Sequence, residues 1–156
     1  MRINRGGSAF FHATIFDLLG KGRVLTMDVQ EPHDIHHPRV TFLIGSGVEP
    51  SIVERVRTEA KEAAKKGPTL VILDSDHSQA HDAKELELQA PMVTAGSFLL
   101  CQDGVYHELR MFSDGRPGPL KAQEEFIPRH PEFELDQKRC DRFLISHHPR
   151  GWLRRA

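Results

Sequence analysis

Two short polar clusters stand directly after apolar runs: Asp74-Ser75-Asp76-His77 follows Leu70-Val71-Ile72-Leu73, and Gln102-Asp103 follows Phe98-Leu99-Leu100-Cys101. On neighbouring strand ends, Asp74, Asp76, Gln102 and Asp103 would offer several oxygen ligands to a hard divalent cation such as magnesium. His77 stands three residues after Asp74. An imidazole with an ordinary pKa of about 6.5 is suited to take a proton from a hydroxyl group. Two further positions could hold a ligand. Gly6-Gly7-Ser8 precedes a helical pattern, so backbone N–H groups and the helix dipole could meet a carboxylate or phosphate. Asp28 closes the run Val24-Leu25-Thr26-Met27, where a carboxylate can accept both hydroxyls of a ribose.

The elements that must position these groups follow from periodicity. Phe10, Phe11, Ile15, Leu18 and Leu19 fall at helical spacing, with Ser8 as a plausible cap and Gly20 just past the end. Short buried-type strands are expected at 23–29, 40–44, 69–73 and 97–101, with helices over 50–66 and 78–90 between them. Pro91 ends the second of these helices, and the Gly- and Pro-rich stretch 104–119 reads as a loop. A helix over 120–129 and two closing strands, 133–136 and 142–147, complete the pattern. Alternating strands and helices predict an α/β fold: a Rossmann-like, doubly wound, mostly parallel sheet with an antiparallel C-terminal edge. Ligands of such sheets sit beyond the carboxyl ends of the strands, which is where all the candidate residues fall.

The 156 residues suffice for one domain, and no apolar run is long enough to cross a bilayer. The first residues lack the apolar core of a secretory signal, so a cytoplasmic protein is expected. A net charge of -1 supplies no global field for a phosphate backbone, which argues against nucleic acid as a partner. Cys101 and Cys140 have no paired spacing and read as reduced, buried thiols.

The residues from Leu70 to Ser78, Glu85 to Val93 and Gly96-Ser97 together resemble the cephalosporin hydroxylase and rhamnosyl O-methyltransferase family. The similarity continues through His130 to Asp136 and Pro149 to Leu153, and so covers nearly the whole chain. The resemblance implies a class I methyltransferase fold, S-adenosylmethionine as methyl donor, a magnesium ion, and a hydroxyl of a small metabolite or glycolipid sugar as acceptor. It implies metal ligation by Asp74, Gln102 and Asp103, with His77 as base and Asp28 on the ribose. Gly6, Gly7, Ser8, Ser46 and Asp74 would border the cofactor. Three positions depart from the family pattern. Gly45-Ser46-Gly47 stands for Gly-Asp-Ser, Gln102 stands for a glutamate, and Met1 falls where the first strand should finish. That strand is therefore expected to be missing or truncated, with a strand-donating partner or a homo-oligomer covering the gap. The same departures admit an alternative: a catalytically impaired chain that binds cofactor weakly or serves only as an interaction module.

Two metal readings compete. His130, Glu132 and His147 have the letters of a two-histidine, one-carboxylate iron site, but they lie among the turn and closing strands of an α/β chain. His33, His36 and His37 could bind a transition metal, although a solvated loop accounts for them better.

Overall fold

The computed structural model describes residues 6–30, 36–108 and 115–156. Helix α1 spans Gly7–Leu18 and leads to the parallel pair β1 (Val24–Asp28) and β2 (Val40–Ile44). Helix α2 (Pro50–Ala64) begins on Pro50, whose fixed φ suits the first helical turn. Next come β3 (Val71–Leu73), α3 (Gln79–Gln89), a 3₁₀ turn at Ala90–Met92 and β4 (Phe98–Cys101). The short α4 (Val105–Glu108) precedes α5 (Pro119–Phe126), which runs into a 3₁₀ turn at Ile127–Arg129. Strand β5 (Phe133–Leu135), the single turn α6 (Gln137–Cys140) and β6 (Trp152–Arg155) complete the order.

The strands divide into two sheets, β1-β2 and β3-β4-β6-β5, with β1 parallel to β2 and β3 parallel to β4. Two cores result. Leu86, Leu99, Phe126 and Leu153, all 0% exposed, centre the core of the four-stranded sheet. Val53, Val56 and Met92 form the second with Leu25, Met27 and Leu43, and Val71 of β3 packs against both clusters. One β3 side chain therefore ties the sheets together through the apolar interior.

Strand alternation and parallel pairing agree with the expected architecture, but three local expectations need correction. The closing strand is Trp152–Arg155 and not 142–147. Phe143, Leu144 and Ile145 are an apolar run that buries nothing, whereas Leu153 is completely enclosed opposite Leu99 and Leu135. Strand β6 is also interior, antiparallel to both β4 and β5, so the outer strand is β5. This insertion demands Gly151. A Cβ there would lie 2.2 Å from the Cys101 carbonyl oxygen, at the point where the Cys101 N–H donates to the Gly151 carbonyl at 2.9 Å.

Helix α1, second, starts one residue before Ser8, and its N-cap is Gly6 in the left-handed region at φ 72°. Glycine reaches that conformation without a Cβ clash, so the turn needs no side-chain cap. Third, the strand expected at 69–73 is shorter, and Leu70 is 53% exposed rather than covered on both faces. Both cysteines are buried free thiols, as expected. Among the described residues no helix is long and apolar enough to cross a membrane.

Candidate metal centre

Strands β3 and β4 are parallel neighbours, so their carboxyl ends deliver the following residues to one place. The Gln102 N–H donates to the Leu73 carbonyl at 2.9 Å, fastening the two strand ends where the polar residues begin. Asp74, His77 and Asp103 converge there. One ligand atom from each lies within 4.8 Å of the others, the one such group of potential metal ligands among the described residues. His77 Nε2 is 3.7 Å from Asp74 Oδ1 and 3.8 Å from Asp103 Oδ2.

The backbone is bent to achieve this. His77 and Asp103 have φ of 57° and 55°, and they are two of three non-glycine residues with positive φ among those described. Such conformations are costly for residues with a Cβ and persist where surrounding structure enforces them. The His77 ring meets Tyr106 edge-on, with centroids 5.1 Å apart. Around Asp103, His147 Nδ1 lies 3.4 Å from Oδ1, and the Asp103 backbone N–H donates to His148 Nδ1. Burial lowers the pKa of His148, against the opposing pull of the Asp103 carboxylate.

Burial pushes the Asp74 carboxyl above its ordinary range, and the like charge and hydrogen bond of Asp103 push it the same way. Two facing carboxylates repel one another, and a hard, oxygen-seeking cation relieves that repulsion. The residues therefore fit magnesium. Gln102 lines a cavity of about 490 Å³ with Asp103, His147, His148 and Trp152. Its amide can donate an oxygen but no charge. Asp76 lies outside the group of three and accepts a hydrogen bond from the Ser78 hydroxyl.

The remaining candidates lie toward the smaller sheet. Asp28 ends β1, is 6% exposed, and accepts a 2.9 Å hydrogen bond from the Gln30 N–H at Oδ1. In register beside it, Ile44 leads into Ser46, whose hydroxyl accepts weakly from the Val48 N–H at 3.4 Å. Gly6 and Gly7 open α1, with Ser8 inside its first turn.

Residues that join these two groups escape a reading by strand ends. Glu85, 2% exposed on α3, accepts a 2.6 Å hydrogen bond from the Ser75 hydroxyl at Oε2. Its Oε1 sits where a Cβ on Gly47 would fall, 2.2 Å away, while Gln89 Nε2 donates to the Gly47 carbonyl. Glu85 and Gln89 thus connect the loop after β3 to the loop after β2. Asp82, Glu85 and Gln89 make a polar stripe at helical spacing, a pattern that marks a buried polar face as readily as a solvated one. Below them Asp82 is 3% exposed, and burial, then the neighbouring Glu85 and Asp76 charges, push its pKa to about 7. Cys101 is raised well above its ordinary range by burial, which suits an unreactive core thiol.

Among the described residues the competing metal readings do not assemble. His130 is held 3.0 Å from both Glu87 and Glu132, and His147 is engaged at Asp103 instead. His37 pairs with Asp17 at 3.0 Å, and His33 lies outside the described residues.

Comparison with known proteins bears on the same residues. A model of the family described as rhamnosyl O-methyltransferase/CmcI matches residues 1–156. The rhamnosyl O-methyltransferase of Mycobacterium tuberculosis (strain H37Rv) is 31% identical over 154 residues, covering 95% of this chain and 62% of the relative. The Mycobacterium leprae protein of the same name is 29% identical over 153 residues, 95% of this chain and 66% of its own length. This chain therefore spans about three-fifths of the length of such relatives. Among solved structures, the MycE methyltransferase of the mycinamycin biosynthetic pathway in complex with Mg, SAH and mycinamycin VI superposes with a TM-score of 0.53 at 18% identity. That match covers 72% of this chain and 31% of MycE. A second crystal form with Mg and SAH gives a TM-score of 0.54 at 18% identity over 78% of this chain and 32% of the other. The likeness to MycE supports the α/β methyltransferase-type fold, and the whole-length family match decides the rest: the chain belongs to the rhamnosyl O-methyltransferase/CmcI family.

Proposed function

We propose that this chain carries the catalytic face of an S-adenosylmethionine- and magnesium-dependent O-methyltransferase acting on a hydroxyl of a small metabolite, sugar or glycolipid. The observation that carries the reading is the convergence of Asp74, His77 and Asp103 on one point between two parallel strand ends. The names of the relatives and the Mg and SAH bound to MycE support it.

Asp74 and Asp103 would hold the cation, with Gln102 contributing a neutral oxygen, and Asp76 remains a candidate for its periphery. Magnesium bound there would lower the pKa of a coordinated hydroxyl, while S-adenosylmethionine would supply the methyl group. His77 accepts the hydroxyl proton at Nε2, the atom that faces both carboxylates. At the end of β1 Asp28 would accept hydrogen bonds from the ribose hydroxyls, and Ser46 would border the cofactor in the loop after β2. Gly6, Gly7 and Ser8 present the first turn of α1 to the donor's carboxylate. Glu85 holds the two halves of this rim at fixed separation.

Calorimetric titration with S-adenosylmethionine, with and without magnesium, tests the reading. Binding that magnesium strengthens, and that Asp74→Ala and Asp103→Ala abolish, is expected. Binding indifferent to both metal and substitutions would favour the second reading, a cofactor-binding chain without turnover, for which the neutral Gln102 is the specific observation.

A further inference from the structure

Three consecutive large apolar side chains stand in water beside the cavity at Asp103: Phe143 is 61%, Leu144 102% and Ile145 81% exposed. Phe143 and Ile145 line that cavity, so the apolar rim and the Asp103 carboxylate share one opening. Isolated exposed apolar residues are ordinary, but a contiguous run at a cavity mouth marks a surface that meets something apolar.

Charge identifies what it meets. The whole chain has a net charge of -1, yet residues 137–156 hold six basic residues, Lys138, Arg139, Arg142, Arg150, Arg154 and Arg155, against one acidic, Asp141. Arg139 is engaged by Asp136, and Arg155 donates to the Pro91 and Val93 carbonyls. Lys138, Arg142 and Arg150, by contrast, make no ion pair among the described residues, and Arg142 lies over the Phe143 ring at 4.6 Å. Apolar side chains flanked by uncompensated cations suit the boundary of an anionic bilayer, where the first enter the acyl region and the second meet headgroup phosphates.

We propose that the segment 142–150 docks this protein peripherally on an anionic lipid surface. The cavity then opens at the headgroup layer, and an acceptor hydroxyl borne on a lipid headgroup would reach Asp103 and His77 without leaving the membrane. That second clause rests on the function proposed above, whereas docking itself does not.

Co-sedimentation of the full chain with vesicles tests docking without catalysis. Vesicles of phosphatidylcholine alone are compared with vesicles containing 30% phosphatidylglycerol, at low salt and at 0.5 M sodium chloride. Trp152, the single tryptophan, lines the cavity and provides an independent fluorescence signal. Binding is expected to be at least tenfold stronger to the anionic vesicles and to weaken with salt. Arg142→Glu should cost about fivefold or more, the factor one basic residue contributes at such a surface. Leu144→Asp should weaken binding as much without changing the thermal midpoint, because the side chain is fully exposed. Absent or charge-indifferent vesicle binding overturns the proposal. So does a Leu144→Asp variant that binds normally but loses self-association in sedimentation velocity, which would make the patch an interface between copies. Magnesium affinity of Leu144→Asp, whose side chain lies outside the cavity lining, is expected to be unchanged, so a failure of docking and a failure of the metal site are told apart.

Discussion

Replacing Asp82 with Asn should make stability depend on pH in a calculable way. Asp82 is enclosed beneath the rim, and its pKa is displaced from 3.8 to about 7, chiefly by burial and then by Glu85. A shift of about three units corresponds to about 4 kcal/mol at roughly 1.4 kcal/mol per unit. Because the folded value lies above the unfolded one, the folded state binds the proton more tightly. The associated stability is complete below about pH 4 and is lost as pH rises through about 7. Asn cannot ionise, so the variant avoids that loss while keeping the shape. Its stability relative to wild type should therefore improve by about 2–3 kcal/mol between pH 5 and pH 8, whatever fixed cost the amide adds. For a chain of this size that is a relative rise in melting temperature of about 5–10 °C. Urea and thermal unfolding at both pH values, in metal-free buffer, provide the measurement. A difference between the proteins that stays flat from pH 5 to 8, or shrinks, would refute the assignment of a buried, protonated carboxyl under the rim.

Two further outcomes follow from the geometry. Gln102→Glu places a full negative charge beside Asp103, and after desolvation is discounted from about 4 kcal/mol of Coulomb attraction, divalent affinity should tighten by about tenfold, which magnesium calorimetry reads. Leu153→Ala empties the centre of the four-stranded sheet, where the side chain is 0% exposed, and should cost about 2–5 kcal/mol in denaturant unfolding.

The α/β order was legible because 40–44, 71–73 and 98–101 are short apolar runs punctuated by Gly, Pro and polar clusters, a pattern local enough to read directly. The proximity of Asp74, His77 and Asp103 was legible for a related reason: parallel strands make carboxyl ends coincide, so closeness in space follows from position on a strand. What failed was inference from hydrophobicity where tertiary contacts decide. Phe143-Leu144-Ile145 has the composition of a strand and stays in water, while Trp152-Leu153-Arg154-Arg155 has two arginines and forms an interior strand through one buried leucine. Glu85 and Gln89 were missed for the converse reason. A helix with Asp82, Glu85 and Gln89 along one side can turn that side to water or to the interior, and here it is buried against the loops after β2 and β3. Polar residues at helical spacing do not disclose which way they face until the partners are known.

Manganese, which takes the same oxygen ligands as magnesium and is visible by electron paramagnetic resonance, offers the most direct test of the convergence of Asp74, His77 and Asp103. Titration of the unmodified chain should show one bound ion per molecule, displaced by excess magnesium, with affinity falling at least tenfold in Asp103→Asn and in Asp74→Asn. Manganese binding that survives both substitutions unchanged would contradict the account.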